Sequence, residues 1–235
     1  MIKFLPILLP IAYALLMYRF SVWRTKAMLD RASTPLDNPA IMAETAKLAV
    51  ALDLTEIRVH VFEIDPVNGL AAPDGRIFLT RGFLAKHAGG EVTAAELASV
   101  IAHELGHVAL GHTRRRMIDF TGQNAVFVML SAVLNRFLPG VGIWIARMVA
   151  TALAARMSRR DEFEADAYAS ALLIKAGIGT GPQKTLFEKL GALTGGAGAG
   201  VPAWLMSHPK TPDRIAAIAA NEAKWGIGPA MADHP

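Results

Sequence analysis

Three side chains of HELGH, residues 103–107, have the types and spacing of a catalytic metal site. On an α-helix His103 and His107 stand four apart and share a face about one turn from each other, so both imidazoles reach one cation. Glu104 lies about 100° round the helix from His103, beside such a cation without ligating it. From there its carboxylate takes a proton from a water that zinc activates for attack on a peptide carbonyl. The spacing supplies two ligands and a base. Read alone, the five residues also fit a buried helix with chance histidines.

A catalytic zinc needs a third protein ligand. His112 invites a metzincin reading, but that pattern sets Gly three and His six positions beyond the second histidine, whereas Gly111 and His112 stand at four and five. A continuing helix would place His112 about 180° from His103, so it is expected to support the site or the fold and not to ligate. DEFEAD, residues 161–166, offers the carboxylates. Glu162 and Asp166 share a face, while Glu164 points about 160° away from Asp166. Glu162 is expected on the zinc, with Asp166 holding a ligand histidine in its tautomer. Without the histidine helix, the same acidic run would read as a solvated first helical turn.

Thr93 and Glu96 form a capping box that opens the helix carrying the histidines, and Gly111 is its expected stop. Ile41, Ala46, Leu48, Ala49 and Leu52 follow Pro39 at helical spacing, which predicts a helix over 39–52. RVHVFEI, 58–64, alternates as a strand. NGLAAPDGRIFLTRGFL, 68–84, predicts two short strands around Pro73-Asp74-Gly75, then another helical start. Residues 158–177 predict a helix stopping at Gly177. Pro182 opens another that ends near Leu193, GGAGAG at 195–200 is a loop, and Thr211 and Pro212 cap the last helix. The fold expected is α+β and mainly helical: one catalytic domain over 39–225 with a small β-sheet, and a disordered tail over 226–235.

Hydrophobic residues make up 53% of the 235 and charged residues 19%, so some surface is expected to face lipid or a partner. The run FLPILLPIAYALLMY, 4–18, sits between Lys3 and the cations Arg19, Arg24, Lys26 and Arg31. Phe20, Val22 and Trp23 extend it toward the roughly 20 residues that a crossing needs, which predicts an N-terminal transmembrane anchor over 1–23. Tyr18 to Trp23 offers no small-x-small cleavage site, which disfavours a removed signal peptide. The positive-inside rule puts the chain beyond residue 20 in the cytoplasm.

A second apolar block, 117–157, is split by Pro139-Gly140 and contains Arg136 and Arg147, predicting a hydrophobic helical hairpin inserted in the domain. If Glu162 joins His103 and His107 on one metal, both ends of this block lie on one side of any membrane. Two arms of about 20 residues leave three placements: spanning, dipping into the bilayer, or packing on protein. Arg114 to Arg116, with Arg159 and Arg160, flank the block as expected for two cytoplasmic ends. The net charge of +4 resides beside apolar segments and without interleaved aromatics, so the expected partner is a lipid bilayer and not nucleic acid. With no cysteine, thiolate catalysis, disulfides and Cys-ligated zinc are excluded.

HELGH followed by GH, then SRRDEFEAD, then SHPKTPDR, in that order, resembles the HtpX and CAAX prenyl protease type of membrane zinc metallopeptidases over residues 40–222. The resemblance implies a zincin-like domain holding one Zn2+ through His103, His107 and Glu162, with Glu104 as catalytic base and Asp166 in support. It implies that His208 and Arg214 face the site, where donors near the carbonyl stabilise an oxyanion by about 3 kcal/mol each. It also implies an extended segment that holds the peptide or protein substrate as an added strand, here Asn68-Gly69-Leu70-Ala71, with Gly69 where the family usually has Ala.

The function implied is endopeptidase action on proteins at or near a bacterial-type inner membrane, in protein quality control. CAAX processing does not follow, because the chain has too few apolar segments for a multi-span chamber. A rival of another class is a non-catalytic membrane chaperone or assembly factor retaining the zinc fold, against which the intact Glu104 argues. A soluble periplasmic or lipid-anchored peptidase is the other rival, and it requires a shortened N-terminus.

Overall fold

The computed structural model describes residues 5–72, 74–190 and 212–227. Pro73, the GGAGAG loop, His208, Thr211 and the tail from residue 228 lie outside the described residues.

Helix α1, Leu5–Arg31, runs without a break past the expected anchor boundary at residue 23. Its 27 residues extend about 40 Å. The last turns dock on the protein: Leu29 is buried with Phe78 and Ala72, Asp30 pairs with Arg76 at 2.7 Å, and Lys26 approaches Asp74 at 3.7 Å. Strand β1, Ser33–Pro35, follows and was not expected, because three residues are too few to display alternation. Helix α2, Pro39–Ala51, starts where Asn38 Oδ1 accepts from the Ile41 N–H at 3.1 Å and Pro39 occupies the first turn.

Strands β2 (Val59–Phe62), β3 (Gly69–Ala71) and β4 (Ile77–Thr80) complete a four-stranded sheet in the order β1-β2-β4-β3. The expected hairpin around Asp74-Gly75 is present: β3 runs antiparallel to β4 with Leu70 opposite Phe78, and Gly75 adopts φ +83°. β4 also pairs in parallel with β2, and all four of its residues are buried. That leaves β3 as a sheet edge, and the histidine helix packs beside it. Thr80 ends β4 and caps α3, Arg81–Ala88.

Helix α4, Ala94–Ala109, opens on the capping box, with the Thr93 N–H donating to Glu96 at 2.8 Å and the Glu96 N–H to Thr93 Oγ1 at 3.1 Å. Every residue from Glu96 to His107 is buried, as expected of a helix enclosed on all sides. Its apolar positions Leu97, Val100, Ile101 and Leu105 join Ile41, Leu48, Ile77, Leu79 and Leu173 in the main core. Gly111, at φ +66°, ends this helix as expected.

Helix α5, His112–Phe137, and helix α6, Val141–Lys175, pack along each other on either side of a short link at Leu138–Gly140. The expected separate helix over 158–177 is instead the second half of α6. The change from apolar to charged residues near 157 looks like a boundary, but no Gly or Pro occurs between Ile143 and Ala176 to interrupt the backbone. Among the described residues, α6 is the helix long and apolar enough to cross a membrane. Val128, Met129, Val133, Phe137, Trp144 and Met148 are exposed around the link. Helices α7 (Gly181–Lys189) and α8 (Pro212–Lys224) complete the described chain.

Candidate metal centre

The candidate metal site lies where α4 and α6 cross. One glycine sets their separation: a Cβ on Gly106 would lie 3.0 Å from the Ala165 carbonyl oxygen and 3.1 Å from Ala165 Cα. Glycine inside HELGH therefore lets α6 approach closely enough for Glu162 to face the histidines.

His103, His107 and Glu162 are all buried, with ligand atoms within 4.8 Å of one another. His103 Nε2 lies 3.1 Å from His107 Nε2 and 3.4 Å from Glu162 Oε2, and His107 Nε2 lies 3.5 Å from Glu162 Oε1. Ligand bonds of about 2.0–2.2 Å at tetrahedral angles put donor atoms about 3.3–3.6 Å apart. Both histidine–carboxylate separations match that spacing and the histidine–histidine separation is slightly shorter, so the three residues fit a zinc-sized ion. Two imidazoles and one carboxylate are also a donor set of hydrolytic zinc sites that keep one position open. Glu104 is buried in the adjoining position, near enough to the Arg214 guanidinium to contribute to holding it charged.

The remaining ring nitrogens of the two histidines meet different partners. His103 Nδ1 lies 2.9 Å from Asp166 Oδ1. Burial opposes a charge on this imidazole, yet Asp166 and then Glu162 raise its pKa to about 9. Burial likewise works against the Asp166 carboxylate, but Arg214 and His103 hold its pKa below the usual range. Arg214 donates from Nε to Asp166 Oδ2 at 2.6 Å and from Nη2 to Oδ1 at 2.7 Å, while Nη1 stands 3.6 Å from Glu162. Its guanidinium stacks 4.5 Å above the Phe187 ring. The arginine expected to face the site is thus turned onto two of its carboxylates.

His107 Nδ1 meets His112 Nδ1 at 2.7 Å. The straight-helix geometry that puts His112 far from the histidine face does not apply, because the chain turns at Gly111 before α5 begins. Asn68 precedes β3: its N–H donates to Thr80 Oγ1 at 3.0 Å, and its side-chain oxygen accepts from the Gly69 N–H at 3.0 Å. His208 lies outside the described residues. The sequence reading missed Gly106, whose signal is a glycine inside a strong helix. It also missed Arg115 and Asp161, which are in contact across α5 and α6 at 3.2 Å.

A family model described as Peptidase family M48 matches residues 35–222. The chain belongs to this family. M48 relatives include metalloprotease LoiP of Escherichia coli strain K12, 28% identical over 222 residues, covering 89% of this chain and 85% of LoiP. Mitochondrial metalloendopeptidase OMA1 of Arabidopsis thaliana is 33% identical over 154 residues, 65% of this chain. The chain spans most of LoiP but only 29% of that OMA1. A protease HtpX homolog of Chlorobium luteolum is 26% identical over 233 residues, covering 83% of this chain and 76% of the homolog. M48 membership makes the protein a metallopeptidase.

Proposed function

We infer that this M48 member is a zinc-dependent endopeptidase that hydrolyses peptide bonds in membrane or membrane-proximal proteins. The observation that carries the reading is the convergence of His103, His107 and Glu162 in one buried cluster, at spacings suited to zinc, with Glu104 alongside. These three side chains would hold one Zn2+ per chain. Bound there, zinc supplies Lewis acidity toward a water and the scissile carbonyl.

The chain's own groups perform the rest. Glu104 takes a proton from the attacking water onto its carboxylate and passes it to the leaving amine. Asp166 accepts from His103 Nδ1–H, which fixes the tautomer that leaves Nε2 free to ligate. Arg214 restrains Asp166 and Glu162 and balances their charge. The family resemblance, and not a contact, assigns His208 as oxyanion donor in this reading. The β3 edge beside α4 receives the substrate as an added strand, with Asn68 at its entrance.

In this reading one peptidase domain spans 39–225, residues 1–23 anchor it, and the 117–157 block is an inserted hairpin whose apolar end meets the bilayer. Exposed Trp144, Phe137 and Met129 support lipid contact there. The cationic flanks support a cytoplasmic domain at a bacterial-type inner membrane. A role in protein quality control rests on the family resemblance.

The test is cleavage of a membrane-protein substrate by wild type and Glu104→Gln at equal zinc content. Hydrolysis is expected from the wild type alone; equal activity would overturn the enzymatic reading in favour of a zinc-retaining chaperone. Intact mass distinguishes the uncleaved anchor from a processed N-terminus.

A further inference from the structure

His112, Asp161 and Glu164 form a second group whose potential ligand atoms lie within 4.8 Å of one another. A second metal is disfavoured by what already holds these oxygens. Arg115 donates to Glu164 Oε2 at 2.8 Å and to Asp161 Oδ1 at 3.2 Å, and Arg160 donates to Glu164 Oε1 at 2.8 Å. Two guanidinium groups supply the cationic charge there. The group is better understood from His112, which is 1% exposed.

Proton bookkeeping sets the direction of each contact. Two ring nitrogens 2.7 Å apart, His107 Nδ1 and His112 Nδ1, need one proton between them. If His107 ligates through Nε2, that nitrogen gives up its lone pair, so Nδ1 carries the proton and donates. His112 must then accept at Nδ1, which leaves the proton of its neutral ring on Nε2, where Glu164 Oε2 waits at 3.2 Å. The order is His107 to His112 to Glu164, with Arg115 and Arg160 behind the carboxylate. The other ligand histidine leans directly on the carboxylate of Asp166, so the two histidines are held by different means.

We propose that His112 is a positioning residue for zinc: it fixes the ring orientation and tautomer of His107, and Glu164 and Arg115 fix His112 in turn. The inference rests on the zinc reading above and extends it. Gly111 makes the arrangement possible, because its left-handed turn starts α5 in a direction that returns His112 to the histidine face. His112 and Arg115 belong to α5, and Asp161 and Glu164 to α6, so the network ties the base of the helical pair to one metal ligand.

The test uses the full-length chain and measures Zn2+ affinity by competition with a chromophoric chelator, together with the visible spectrum of the Co2+-loaded protein. His112→Phe is expected to lose about 10- to 100-fold in zinc affinity and to alter the Co2+ spectrum. His112→Asn, whose Oδ1 can accept where Nδ1 did, is expected to recover most of that loss. Wild-type affinity in His112→Phe, or equal losses in the two variants, would overturn the proposal. Should His112→Phe not fold, Glu164→Ala decides instead: an affinity loss of about tenfold is expected, and none would overturn it. Failure of the zinc reading is distinguishable, since the wild type itself would then bind zinc weakly.

Discussion

Arg214 grips Asp166 through two parallel contacts, Nε to Oδ2 at 2.6 Å and Nη2 to Oδ1 at 2.7 Å, and each residue is 2% exposed. A buried pair of this kind is costly to break from one side, because the surviving charge stays desolvated. Arg214→Met is therefore expected to lose about 3–5 kcal/mol of stability, measured by denaturant unfolding of the metal-free chain. Stability within 1 kcal/mol of wild type, by the same ~3–5 kcal/mol reasoning, would show that the pair is not structural.

Asp166 also touches His103, so its charge bears on the candidate metal site as well as on the fold. Asp166→Asn keeps the shape and removes that charge. Zinc affinity is expected to fall about 10- to 100-fold, measured by chelator competition. Glu162→Ala should lose zinc outright, and full stoichiometry in that variant would refute the third-ligand assignment.

Gly106 separates packing from chemistry, since it has no side chain to react. A Cβ there would lie 3.0 Å from the Ala165 carbonyl oxygen and 3.3 Å from Tyr168 Cβ. Gly106→Val is expected to push α4 from α6 at an overpacking cost of about 1–3 kcal/mol and to weaken zinc binding by drawing Glu162 away. Thermal unfolding and zinc titration on one sample check both effects. A stability loss with unchanged zinc affinity would show that helix separation does not govern the site.

Glu96 provides a pH prediction away from the metal. Burial raises its pKa, but the Lys189 ammonium at 2.7 Å, the Thr93 N–H and the Thr185 hydroxyl outweigh that and hold it below the ordinary 4.5. A carboxylate with a lowered folded-state pKa stabilises the fold above its unfolded value and loses that contribution as pH falls through the folded one. The stability gap between wild type and Glu96→Gln is accordingly expected to be full at pH 7 and to shrink on acidification below 4.5. A gap constant with pH would rule out this carboxylate as its source.

What the sequence disclosed was whatever depends on short spacing. HELGH, the Thr93–Glu96 box, the hairpin at Asp74-Gly75 and the pairing of Glu162 with Asp166 on one face each follow from helical or turn geometry within a few residues. The features it hid depend on distant partners or on the absence of a break. β1 exists because β2 offers it an edge, and three residues carry no pattern of their own. α6 crosses a boundary of composition that the backbone does not register. The contact of His112 with His107 depends on the turn at Gly111, whose direction helical spacing does not give, and the grip of Arg214 on Asp166 joins elements 48 residues apart.

Because α6 is one helix, its apolar beginning and the turn that carries Glu162 are keyed to the same rotation. Trp144 and Glu162 lie 18 residues apart, five turns of about 3.6, and therefore project from nearly the same side. One residue inserted between them would leave Glu162 where the core holds it and swing Trp144 round by about 100°. The helix thus behaves as a crankshaft: the length of chain between the link and Glu162 sets the bearing of the apolar end, and only changes near whole turns preserve it.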